Sequence, residues 1–111
     1  MILIKKIDFK TIYFFYLSYN KLVIKMNIFL NELRPEYNII DIRDNYSYNI
    51  DHAYNAINIP MEELLKNYMF YLNKDDKYYI YCKSGFRSKK TCDLLRIFGY
   101  NVVNVIDGFG K

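Results

Sequence analysis

Cysteine, glycine, arginine and serine crowd into one short stretch, Cys82-Lys83-Ser84-Gly85-Phe86-Arg87-Ser88. A thiol attacks other molecules only as its thiolate. Three features here would stabilise that anion. Gly85 allows a backbone angle at which successive loop N–H groups converge on negative charge. A helix pattern that begins near Ser88 would turn its positive end toward the loop. Lys83 and Arg87 add charge, with Lys89 and Lys90 close behind, and the Arg87 guanidinium can fork two hydrogen bonds onto an oxyanion. No histidine neighbours Cys82 in sequence, so activation would be electrostatic rather than by a paired base. A free cysteine at a strand end is often simply buried and inert. The adjacent glycine, arginine and helix start set Cys82 apart from that case.

The elements around the loop must place it. Tyr78–Tyr81 is a short apolar strand pattern that delivers Cys82 at its C-terminal end, where open α/β sheets bind ligands. After the loop, Thr91, Leu94, Leu95 and Phe98 repeat at helical spacing, so Ser88–Phe98 reads as a helix with Gly99 just past its end. Asn101–Ile106 is a β-branched strand. Upstream, Tyr37–Ile42 reads as a buried strand, with Asp41 and Arg43 at its C-terminal end. Residues 44–56 are polar and irregular and hold the single histidine, His52. Ala56–Ile59 is a short strand ended by Pro60. Met61–Leu72 has a helical apolar face, and Asn73–Asp76 is a turn. Asn27 is placed as a helix N-cap, with Ile28, Phe29, Leu30 and Leu33 as the apolar side, and the helix stops at Arg34-Pro35. Strands alternating with helices imply crossovers and a mainly parallel sheet.

The chain has 111 residues, 52% apolar and 25% charged, which fits one globular domain. Its +4 charge is uneven. Residues 1–34 carry six basic and two acidic side chains, whereas residues 35–111 carry ten of each. That balance argues against a nucleic-acid footprint. Cys82 and Cys92 are too far apart for a CxxC pair, and with one histidine the soft ligands are too few for zinc. Free thiols point to a reducing cytoplasm. Cys92 reads as a packing residue, with a disulfide to Cys82 open under oxidation.

Residues 1–26 are the least readable. Met1–Ile7 has a strand pattern. Thr11–Tyr19 is apolar and aromatic, and lysines precede it, as in a signal peptide. No small-residue cleavage site follows, Asn20-Lys21 interrupts the run, and it is far short of the roughly 20 residues that span a bilayer. The segment is expected either to cover the sheet as an accessory strand or helix, or to lie upstream of a natural start at Met26.

The loop Cys82-x-x-Gly85-x-Arg87-Ser88 resembles the active-site loop of the single-domain rhodaneses, a family of sulfurtransferases. Ile40-Asp41-Ile42-Arg43 resembles that family's hydrophobic-Asp-Val-Arg motif. His52 with Ala56-Ile57-Asn58-Ile59-Pro60 resembles its histidine-to-proline signature, and Gly99-Tyr100-Asn101-Val102 through Asp107-Gly108 its closing segment. The resemblance covers roughly residues 26–110, in the family's order and spacing. Asp51, Ala53-Tyr54, Asn55 and Asp107 depart from the pattern, Asp51, Asn55 and Asp107 standing where glycine is usual. The closing tryptophan and terminal helix of the family are not found in this sequence.

The resemblance implies a rhodanese-like α/β fold, short at its C-terminus, with a mainly parallel sheet and helices on both faces. It divides the chain into an extension, 1–26, and a domain, 27–111. It implies transfer of a sulfane sulfur from a donor such as thiosulfate, through a Cys82 persulfide, to a thiol or cyanide acceptor. A sulfur-carrier or thioredoxin-like protein could present that thiol. Lys83 and Arg87 would bind the anionic donor, and Ser84, Gly85, Phe86 and Ser88 would supply backbone or hydroxyl contacts. Asp41, Arg43 and His52 would support the loop. It implies no metal or organic cofactor; from the charge balance and the N-terminal run, neither nucleic acid nor a membrane is expected as a partner. Two rivals stand beside this reading. A cysteine phosphatase or arsenate reductase of related fold needs a longer loop between nucleophile and arginine; the four residues between Cys82 and Arg87 make a pocket sized for sulfur rather than phosphate. A binding module that has lost its activity would more often have lost the cysteine as well.

Overall fold

The computed structural model describes residues 8–110, apart from the side chains of residues 22–25. Its centre is a five-stranded parallel sheet in the order β1-β5-β4-β2-β3. The strands are β1 (Asn27–Ile28), β2 (Asn38–Asp41), β3 (Ile57–Asn58), β4 (Lys77–Tyr81) and β5 (Asn101–Val105). Both faces are covered, so adjacent strand residues feed opposite cores. Ile40, Ile80 and Val102 pack with Leu64, Cys92 and Leu95 on one side. Ile39, Tyr79, Val103 and Val105 pack with Leu33, Tyr37 and Tyr48 on the other.

The helices are α1 (Phe9–Met26), α2 (Asn45–Ile50), α3 (Met61–Lys66), α4 (Tyr68–Tyr71) and α5 (Phe86–Ile97). α5 matters most for function. It begins two residues before the start expected at Ser88, directly on Gly85, and ends where Gly99 adopts φ +94°. Its buried residues, Ser88, Thr91, Cys92 and Leu95, return at helical spacing and lie on the sheet.

Several elements differ from the sequence-based expectation. Asn27 does not cap a helix: Asn27–Ile28 pairs with Asn104–Val105 as the sheet's edge, and only a short 3-10 turn, Leu30–Glu32, follows. Pairing Ile28 beside Val105 buries more than an isolated helical turn could. Residues 44–56 are not irregular throughout. Asp44 accepts the Ser47 N–H (2.7 Å) and starts α2, and Tyr48 anchors that helix to the core. Met61–Leu72 is split at Asn67, where φ −130° and ψ 35° interrupt the helix. Thr11–Tyr19 is helical but leaves the sheet uncovered, with its large side chains about half exposed or more. The strand pattern at Met1–Ile7 lies outside the described residues. Asn55 has φ +65°, a left-handed angle that glycine usually supplies and that asparagine tolerates better than most residues.

Candidate active site

Cys82 follows the last residue of β4, and its side chain is nearly fully buried. Three groups converge on its Sγ. The Gly85 N–H donates to it at 3.1 Å and the Ser88 N–H at 3.3 Å, and the Ser88 hydroxyl oxygen lies 3.3 Å away. The backbone folds this way because Gly85 sits at φ +88°, which turns the chain sharply into α5 and aims the first helical N–H groups back at the sulfur. Burial by itself would push the thiol up. The Ser88 hydroxyl and the N–H groups of Ser88, Ser84 and Gly85 outweigh that penalty and hold Cys82 below the ordinary cysteine value. When the sulfur is a thiol it donates to Ser88 Oγ; once ionised it accepts from that hydroxyl.

The loop is clamped from behind by β5 and the turn that follows it. The Phe109 N–H donates to the Cys82 carbonyl at 2.8 Å. A side chain on Gly85 would run into the Ile106 carbonyl, and one on Gly108 into the Lys83 backbone. Asn104, only 2% exposed, reaches up from β5, and its Nδ2 donates to the Gly85 carbonyl at 3.4 Å. Among the described residues its buried Oδ1 has no hydrogen-bond partner.

Asp41 and Arg43 form a second layer. Asp41 is fully buried and takes a forked bond from Arg43, with Nη2 2.7 Å from Oδ2 and Nε 3.1 Å from each oxygen. Tyr81 donates to the same carboxylate at 2.7 Å. Arg43 also donates to the Phe109 carbonyl at 3.0 Å and to the Asp51 carbonyl at 2.6 Å, and its plane lies near the Tyr81 and Phe109 rings. Its donors are therefore engaged in fixing the C-terminal segment whose N–H holds the Cys82 carbonyl. The bond to Asp41, with a smaller opposing effect of burial, raises the Arg43 pKa. Burial, followed by smaller contributions that include the bond to Asp41, raises that of Tyr81, so neither Arg43 nor Tyr81 gives up its proton in the neutral range.

An open cleft of about 750 Å³ lies over the loop. Cys82, Lys83, Ser84, Phe86 and Arg87 line it, with Arg43 at its base. Gly85 and Ser88 act from beneath, on the sulfur. His52 is placed elsewhere: its ring stacks on Tyr48 and its Nδ1 is 2.7 Å from the Tyr48 carbonyl, beside a separate shallow pocket under Tyr54 and Ile57. It touches neither the cysteine nor its loop. Cys92 is fully buried in α5, and burial pushes its thiol up to about 12, so it is held as an inert packing group.

The cleft is less basic than the sequence suggested. Lys89 is paired with Asp93 at 2.8 Å, and Lys90 lies over the Phe86 ring at 4.5 Å. Lys83 and Arg87 face three carboxylates on the rim, Asp44, Asp51 and Asp107. Asp107, in place of the usual glycine, accepts the Leu30 N–H at 2.7 Å and ties the 3-10 turn to the mouth. Three contributors escaped the sequence reading: the Ser88 hydroxyl as a partner of the sulfur, Asn104, and the Phe109 backbone. Asn104 and Phe109 act across more than twenty residues of chain, which no local pattern reports; Ser88 is only six residues away, and its aim depends on where α5 starts.

The family model of the Rhodanese-like domain matches residues 27–111. The chain is 35% identical over 79 residues to the tRNA uridine(34) hydroxylase of Escherichia coli strain K12, a match covering 67% of this chain and 23% of that protein. It therefore spans about a quarter of the length of the curated relatives it matches. Among solved structures, it is similar to a rhodanese-like domain protein of Staphylococcus aureus (31% identity, TM-score 0.61, 85% of each chain covered). It is also similar to SSP1007 of Staphylococcus saprophyticus (36% identity, TM-score 0.62, 67% of this chain and 76% of that one).

Proposed function

This chain belongs to the rhodanese-like domain family, and on that premise we propose that it is a sulfurtransferase working through a Cys82 persulfide. The observation that carries the reading is the set of donors converging on a buried Cys82 sulfur at the floor of an open cleft. The Cys82 thiolate attacks the outer, sulfane sulfur of a donor such as thiosulfate. A new S–S bond forms, the old one breaks, and sulfite leaves with the electron pair. Lys83 and Arg87 hold the anionic donor. An acceptor thiolate then attacks the outer sulfur of the persulfide, and the Cys82 thiolate leaves. It is a good leaving group for the reason it is a good nucleophile: the Ser88 and Gly85 donors stabilise its charge.

The Escherichia coli relative is named for hydroxylation of a tRNA uridine, and only the region matched here is shared with it. Residues 35–111 carry ten basic and ten acidic side chains, which favours a small or thiol-bearing substrate over tRNA as the partner of this domain.

Incubation with thiosulfate followed by intact-mass and peptide analysis tests the proposal. The expected result is a gain of one sulfur on Cys82, removed by cyanide or a thiol and absent in Cys82→Ser. No adduct, or full sulfur transfer by Cys82→Ser, overturns it. The first outcome favours a binding module and the second moves the chemistry to another residue.

A further inference from the structure

The 18-residue helix α1 has no counterpart in the chemistry described above. From Phe9 to Tyr19 every residue is exposed, so none of the described residues covers any side of it there. At 3.6 residues per turn, Lys10, Thr11, Ser18 and Lys21 fall on one side, with Phe14 among them. The rest of the circumference, roughly two thirds, carries the large apolar and aromatic side chains, with Asn20 among them. Ile12, Tyr13, Phe15, Tyr16, Leu17 and Tyr19 are each between 47% and 66% exposed.

An isolated helix of this length is marginal in water, and one with such a surface needs a covering partner. Two properties identify it. The apolar arc is far wider than the narrow stripe that a helix–helix seam uses. Next, α1 contains lysines and no acidic residue, and ahead of it in the sequence Lys5 and Lys6 outnumber Asp8. A second copy packed on that arc would cover the apolar side chains but leave the lysines, on the opposite side, without complementary charge. A bilayer with anionic headgroups supplies a broad apolar phase and the complementary charge together.

We propose that α1 is a peripheral membrane anchor that lies in the interface of an anionic bilayer, apolar arc inward and lysines toward the headgroups. This is not a spanning segment: among the described residues no helix is long and apolar enough to cross a membrane. The sequence-based expectation was of no membrane partner; one of its grounds was a run too short to span a bilayer, a length that an in-plane helix does not need. The Met26 carbonyl at the end of α1 accepts from Arg96 Nη2 at 2.8 Å, in the last turn of α5. That is the end of α5 remote from Cys82, so docking through α1 leaves the catalytic cleft open.

Co-sedimentation of the full chain with vesicles tests the proposal. Binding to phosphatidylcholine vesicles containing phosphatidylserine should exceed binding to phosphatidylcholine alone by about tenfold and fall as salt is raised. The Phe15→Glu/Tyr16→Glu variant should lose binding to both, and Lys10→Glu/Lys21→Glu should lose only the preference for phosphatidylserine. Neither should change sulfur loading of Cys82, which also reports that both are folded. No binding, binding indifferent to these substitutions, or equal binding to the two vesicles overturns the proposal. So does a stable dimer in solution that Phe15→Glu/Tyr16→Glu converts to monomer, because a second copy would then be the occupant.

Discussion

Ser88 is the side chain that most directly decides when Cys82 is ionised. Its hydroxyl and its N–H both reach the sulfur, and Ser88→Ala removes one of the two. A depressed thiol pKa means that thiolate is already abundant at lower pH. The rate of Cys82 alkylation should therefore rise with a midpoint below about 8.5, the ordinary cysteine value. In Ser88→Ala the midpoint should move upward, and thiosulfate loading near neutral pH should slow by about tenfold, the cost of one hydrogen bond to a charged group. Stopped-flow alkylation across pH measures both. An unchanged midpoint would assign the activation to the backbone alone. At this scale the sequence was partly readable. Cys82, Gly85 and Arg87 stand close together, and their chemistry follows from their types. The Ser88 hydroxyl was visible only as a contact of unspecified kind, because its aim depends on the helix starting at Phe86. Asn104 and the Phe109 N–H are separated from the cysteine by more than twenty residues, and only the folded sheet brings them to it.

At the scale of elements, the turn from β4 into α5 is the part that tolerates least. Gly85→Ala would need a left-handed angle and would drive its methyl into the Ile106 carbonyl. The loop must move, and its donors leave the sulfur. The expected result is near-complete loss of thiosulfate loading with a stability loss of at least about 1–3 kcal/mol from backbone strain, read by denaturant unfolding beside the mass assay. Asn104→Ala is gentler. It removes the weaker of two donors to the Gly85 carbonyl, which keeps the Lys89 N–H at 3.1 Å, and also removes a buried unpaired oxygen, so stability should change little while Cys82 alkylation slows. The elements that sequence reading placed well, β2, β4, β5 and α5, have strong periodicity or β-branched runs that burial rewards. Those it misplaced are short. α2 rests on one Asp44 cap and one anchoring tyrosine, and β1 is two residues made into a strand only by its neighbour. The split at Asn67 leaves the apolar spacing of the helix nearly intact, and so leaves no trace in the pattern.

For the molecule as a whole, two buried groups set a limit on the alkaline side. The folded state raises both the Cys92 thiol, to about 12, and the Tyr81 hydroxyl, chiefly by burial. The unfolded chain gives up the Cys92 proton near pH 8.5, whereas the folded chain keeps it, so unfolding releases protons as pH rises. This contribution is complete below about pH 8.5 and is lost progressively toward pH 12, at up to about 1.4 kcal/mol per pH unit for one group. Urea midpoints measured between neutral and strongly alkaline pH should fall along that limb, and Cys92→Ala should make the fall shallower. An identical slope in the variant would show that Cys92 does not titrate with unfolding. The C-terminal segment has a consequence of another kind. Phe109 holds the Cys82 carbonyl and Gly110 lines the cleft, so any polypeptide joined after Gly110 sets out from the rim of the active site. A cysteine carried there on a short flexible linker would meet the persulfide at an effective concentration in the millimolar range, as a built-in acceptor. The same peptide joined ahead of α1 would begin far along the chain from the rim and gain no such advantage. For anyone fusing this domain to another, the choice of end decides whether sulfur is passed within one molecule or between two.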